Sequence, residues 1–169
     1  MICIKKHQLK LPVQFRIKNE KKEQMKRVEF STEINAPAEK VWKALWEDAN
    51  YRNWTSAFCE GSYMTTNWEE GGKVHFLSPS GAGMYSVISK NEENSKMYFT
   101  HIGEIVNFEE QSIDEKTAGW SGACENYSLF ENNGVTRLVV EIDLTDESLD
   151  YFEKAFPKGL ELVKLIAEK

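Results

Sequence analysis

The reading of the fold turns on Val28-Glu29-Phe30-Ser31-Thr32-Glu33-Ile34-Asn35-Ala36-Pro37-Ala38-Glu39-Lys40-Val41-Trp42-Lys43-Ala44-Leu45. As far as Ile34, the apolar Val28, Phe30 and Ile34 fall on alternate positions with polar residues between them, which is the two-residue period of a strand. Beyond Pro37 the period changes. Val41, Ala44 and Leu45 recur at helical spacing, with Trp42 and Trp46 beside them, so the segment predicts a helix whose apolar stripe packs on a sheet. Asn35 stands where a cap is wanted, and Pro37 suits the first helical turn. Asp48 to Trp54 predicts a short second helix or turn.

Downstream, turn residues punctuate four or five apolar runs. Gly71-Gly72 and Ser80-Gly81 separate strands, and Asn132-Asn133-Gly134 joins two of them as a hairpin. In the second, Thr136 to Leu144, Leu138, Val140, Ile142 and Leu144 face one way and Arg137, Glu141 and Asp143 the other. Its partner, Cys124 to Glu131, sets Tyr127 and Leu129 on one face against Asn126 and Ser128. Such one-sided alternation predicts an antiparallel sheet with one wet face. Residues 106–119 lack a clean period and predict a loop or short helix covering one mouth of the sheet. From about Glu147, Leu149, Phe152, Phe156, Leu160, Val163 and Ala167 predict a long terminal helix. Pro157 removes a helical donor, so the main helix is expected to begin there, with Ser148 to Phe156 as a lead-in. The fold class is α+β, with a curved antiparallel sheet wrapped around a long C-terminal helix.

The 169 residues suit one domain, and 41% hydrophobic with 28% charged residues is a globular composition. Residues 1–27 carry nine Lys/Arg against two Glu, a net of +7, which leaves −13 on the remainder of a chain of net −6. Residues 1–25 are therefore expected to be a basic N-terminal extension, flexible or forming an edge strand, and residues 26–169 the domain. An acidic body argues against nucleic acid as a partner, because neutralising phosphates needs a Lys/Arg-rich surface. The three cysteines are odd in number and show no C-x-x-C pair, so neither a disulfide framework nor a zinc clip is indicated. No secretory h-region and no membrane-length apolar run is present, so stable membrane insertion is not expected and a cytoplasmic location is. His75 and His101 lie on predicted strands without H-x-x-x-H spacing, which argues against a metal site, and no cofactor motif occurs. His101 could pair with Glu104, Glu125 or Tyr127 across strands as a general acid and base.

The order strand, two short helices, antiparallel strands and long helix resembles the helix-grip fold of the START-like (SRPBCC) superfamily. Ile34 to Leu45, Trp54, Gly71-Gly72-Lys73-Val74, Tyr98-Phe99-Thr100-His101 and Phe156-Pro157-Lys158-Gly159-Leu160 resemble, more narrowly, the family of homologues of the activator of the heat-shock protein 90 ATPase. The resemblance covers roughly residues 26–169. It implies a cavity between sheet and long helix, and it would place Trp54, Phe76, Tyr85, Phe99, Trp120, Tyr127 and Phe156 near it, as ligand contacts or as core filler, with one or two of His75, His101 and Tyr127 to orient a ligand. Three functions stay open: binding of a small hydrophobic or amphipathic molecule, a cyclase/dehydratase- or hydrolase-type enzyme using the same cavity, and a protein-interaction role, chaperone-related or as a homodimer.

Overall fold

The computed structural model describes residues 25–169, so the expected extension lies outside the described residues except for its last position. In chain order the elements are β1 Lys26–Ile34, α1 Ala38–Trp46, α2 Asp48–Thr55, β2 Tyr63–Thr66, β3 Lys73–Leu77, β4 Gly83–Glu92, β5 Lys96–Val106, β6 Glu109–Glu110, α3 Glu115–Ala118, β7 Cys124–Asn132, β8 Val135–Leu144 and α4 Asp146–Ala167. The strands form one antiparallel sheet in the order β1-β8-β7-β5-β4-β3-β2, with β6 paired to β5. Helix α4 packs against β1, α1 and α2.

The hairpin expected at Asn132-Asn133-Gly134 is formed, with Asn133 at φ 52° and Gly134 at φ 79°. Left-handed backbone at both central positions is what a tight hairpin between right-twisted strands requires. Residues 106–119 contain β6 and the one-turn α3, whose Asp114 carboxylate accepts the Thr117 N–H at 2.7 Å.

Two expectations about helix ends are corrected. Asn35 does not cap α1: the cap position is Pro37, which has no side-chain bond to give. The Glu131 carboxylate, reaching over from β7, accepts the Ala38 N–H at 2.8 Å instead. An anion there complements the positive end of the helix dipole. The entry is also tied down from β8, where the buried Thr136 hydroxyl donates to the Ala36 carbonyl at 2.7 Å. Nor does the terminal helix begin at Pro157. Helix α4 runs unbroken through it for 22 residues. Pro157 and Glu153, whose carbonyl loses its donor, both lie on the exposed side. Phe152, Phe156, Leu160 and Val163, all 4% exposed or less, bind the two halves to the core on the other. Packing of that stripe outweighs the single lost hydrogen bond.

Arg27 of β1 makes a bidentate contact with Asp143 of β8, at 2.8 and 3.0 Å, and Asp143 also accepts the Cys124 N–H of β7 at 3.0 Å. The Arg27 hydrogen bond, opposed by partial burial and aided by the Cys124 N–H, holds the Asp143 carboxyl below its usual range. A depressed native pKa means that the unfolded chain binds the proton more readily. The pair therefore stabilises above the unfolded carboxylate pKa, and that contribution is lost as the pH falls through the native one. With Arg27 half exposed, about 1 kcal/mol or less is at stake. Urea unfolding at pH 7 and pH 3 is expected to show Asp143→Asn losing less stability on acidification than the wild type.

Candidate functional site

Strand alternation aims a narrow set of side chains at the concave face. On β5 the inward positions are Met97, Phe99 and His101. On β7 they are Glu125 and Tyr127, in register with Phe99 and Met97 respectively. Ser86 of β4 pairs directly with His101, next to a register shift at Tyr85/Ser86. These placements build a buried polar chain. The Ser86 hydroxyl lies 2.8 Å from His101 Nδ1, His101 Nε2 lies 3.2 Å from Glu125 Oε2, and the Tyr127 hydroxyl donates to Glu125 Oε1 at 2.5 Å. His101 is 5% exposed, Glu125 7% and Tyr127 2%.

The surroundings are apolar and aromatic. Phe76 meets Phe99 edge-on with ring centroids 5.2 Å apart and His101 at 6.1 Å, and Trp46 stands edge-on to Tyr127 at 5.0 Å. In such a medium, burial pushes the Glu125 carboxyl up, while the hydrogen bonds from His101 and Tyr127 pull it down. Burial, and then the charge of Glu125, push the Tyr127 phenol well above its usual value, and Tyr51 is displaced the same way for the same reasons. Glu125 thus has two buried donors around it and lone pairs to spare.

Two small cavities flank this chain. One, of about 10 Å³, is bounded by Trp46, Tyr51, Trp54, Phe58 and Phe76, with Glu125 and Tyr127 in its wall. The other, of about 50 Å³, lies between Met84, His101, Trp120, Leu144 and Phe152, again with Glu125. The first has room for roughly one water and the second for a few, whereas drug-sized ligands occupy roughly 300–1,000 Å³. Neither of these two cavities is roomy enough for such a ligand, because aromatic rings occupy much of the space around them.

The structure brings together most of the expected site residues. Trp54, Phe76, Phe99 and Tyr127 line the smaller cavity, His101 and Trp120 the larger. Phe156 is buried core, stacked on Phe30 at 4.6 Å and edge-on to Phe58 at 4.9 Å, and lines neither cavity. Tyr85 is on the wrong face. It pairs with His75 on the outer side of the sheet, where its ring covers Gly103 and lies 5.7 Å from the Lys73 ammonium. His75 is likewise outside, bonded to Glu110 at 2.6 Å. Of the carboxylates weighed as partners for His101, Glu125 is the one in contact, while Glu104 pairs with Lys116 at 3.6 Å. Ser86, Tyr51 and Phe152 went unread. Phe152 was visible as part of the α4 stripe, but Ser86 depends on a strand irregularity that leaves no mark in the sequence. Among the described residues no group of three His, Cys, Asp or Glu side chains is placed to hold a metal, and no helix is long and apolar enough to cross a membrane.

A curved antiparallel sheet gripping a long terminal helix, with a polar chain buried between them, defines a START-like helix-grip domain. The chain belongs to the family described as activator of Hsp90 ATPase homolog 1-like protein, whose model matches residues 35–161. No curated protein matches the chain. Among solved structures, protein MLL2253 from Mesorhizobium loti is similar with a TM-score of 0.65 at 14% identity, over 83% of this chain and 96% of that one. The Aha1 dimer from Colwellia psychrerythraea is similar with a TM-score of 0.62 at 18% identity, over 85% and 97%. CalU16 from Micromonospora echinospora is similar with a TM-score of 0.58 at 15% identity, over 85% and 76%. These likenesses show the fold.

Proposed function

We propose that the chain binds a small amphipathic molecule between the sheet and α4, its apolar body replacing the Phe152 ring and its donor group bonding to Glu125. One observation carries the reading: Glu125 lies in the wall of both cavities. A buried carboxylate with an imidazole and a phenol is no more stabilising than apolar side chains of the same volume would be. Its position in the wall of both cavities supports a role as a ligand anchor. The site itself favours a hydroxyl or amine donor on the ligand, since Glu125 is held as an acceptor.

Calorimetric titration with 2-naphthol and 2-methoxynaphthalene tests the reading. The two share an aromatic body and differ in the donor. An anchor at Glu125 gives 2-naphthol an affinity at least ~10-fold higher, the effect of about 1.4 kcal/mol from one satisfied buried acceptor. Equal affinities, or no binding of either, would overturn it.

The short path from Glu125 to His101 supports a second reading, catalysis of cyclase/dehydratase or hydrolase type with this pair as general base. It calls for hydrolysis of an aryl ester such as 4-nitrophenyl acetate that Glu125→Gln abolishes. Equal rates in both proteins would remove it.

A further inference from the structure

A concavity larger than either of these cavities lies away from the space between sheet and α4. It is an open groove of about 460 Å³ on the other side of Trp46, between α1, the start of α2 and the β4–β5 turn. Three indoles form its apolar walls. Trp42 and Trp68 both stand edge-on to Trp46, with centroids 6.2 and 6.1 Å away and planes inclined by 70° and 65°. Rings set at such angles make a corner, not a stack, and Trp42 and Trp68 both line the groove and are only partly buried. Trp68 is fixed in a costly left-handed conformation, φ 62°, by Asn91, whose side-chain N–H donates to the Trp68 carbonyl at 2.7 Å. Buried Met97 also lines the groove.

The rim is acidic, with Glu47, Asp48 and Glu93 against Lys43. Lys43 is committed to Glu39 at 2.6 Å and Asp48 to Arg52 at 2.8 Å. Neither Glu47 nor Glu93 has a cation within ion-pair distance among the described residues.

We propose that this groove is a binding site for a small organic cation of the quaternary ammonium class. Indole faces attract such a cation through their quadrupole, and Glu47 and Glu93 add charge that a strongly hydrated ion would not need rings to exploit. The groove lies across Trp46 from the smaller cavity beside Glu125.

Calorimetry on the full chain with choline and with 3,3-dimethylbutan-1-ol, its neutral isostere, tests the assignment. Choline is expected to bind at least ~10-fold more tightly than the isostere, because only the cation engages the ring faces and the rim. Trp68→Ala is expected to remove choline binding. Glu93→Gln, an exposed and conservative change, is expected to weaken it ~2- to 5-fold without altering the circular dichroism spectrum. Saturating 2-naphthol is expected to leave choline affinity unchanged. Absence of choline binding, equal affinity for choline and the isostere, or choline binding that survives both substitutions would overturn the proposal.

Discussion

His101→Leu is expected to lower the unfolding free energy by about 3–5 kcal/mol at pH 7, because removing the imidazole partner of the buried Glu125 leaves that carboxyl uncompensated. Near Tm each kcal/mol corresponds to about 2–4 °C for a chain of this size, so the melting temperature falls by roughly 6–20 °C. The partner left behind is Glu125, which keeps only the Tyr127 hydroxyl. Without the imidazole, burial governs Glu125 and pushes its carboxyl up. A native pKa above the unfolded one means that the folded variant binds the extra proton, so stability rises as the pH falls through that value. The deficit of His101→Leu relative to wild type is therefore expected to shrink between pH 7 and pH 5. The double variant His101→Leu/Glu125→Leu is expected to recover most of the lost stability while failing to discriminate 2-naphthol from its methyl ether. Recovery without discrimination separates an anchor kept for a ligand from a pair that merely holds the fold. Urea denaturation and calorimetry on the three proteins supply both readouts.

Phe152→Ala is expected to cost about 3–5 kcal/mol, the usual penalty for truncating a buried phenylalanine. Phe152 is 1% exposed, packs against Phe58 and Phe156, and forms one side of the 50 Å³ cavity beside His101. Its ring occupies the space the ligand body is proposed to take. In the wild type, binding must displace that ring; in the variant the space is already open. Truncation is thus expected to destabilise the free protein and strengthen 2-naphthol binding together, with saturating ligand restoring part of the lost melting temperature by mass action. If Phe152 were core filler with no binding space behind it, the first effect would appear without the second. Circular dichroism melts with and without ligand distinguish the two.

How far the sequence reading reached can be traced residue by residue. The β7–β8 hairpin was legible because Asn133 and Gly134 are among the few residues that accept left-handed backbone, and alternation on β8 then set Leu138, Val140 and Ile142 inward. Pro157 misled because a local rule met a tertiary force. The stripe on α4 buries enough surface to hold a helix through a proline whose defect faces solvent. Tyr85 misled for a different reason. The register across the β3–β4 turn pairs Phe76 with Met84 and His75 with Tyr85, so Phe76 and Tyr85 cannot share a face. That register is set inside Ser78 to Ala82, where the Ser78 N–H bonds the Ala82 carbonyl at 2.9 Å. Alternation within a strand gives parity but not which parity is inside. The aromatic residues were found, yet whether twenty rings line a space or fill it depends on how they pack. Trp46, Phe99 and Tyr127 pack edge to face and leave little room.

The most direct measurement is nitrogen-15 NMR of the His101 ring through a titration with 2-naphthol. A ligand hydroxyl arriving at Glu125 competes for the carboxylate that His101 Nε2 faces, so the His101 resonances are expected to shift and saturate with the calorimetric affinity, while partly buried His75 on the outer face does not move. Saturable binding that leaves His101 unmoved, or no binding at all, would contradict a ligand site at Glu125.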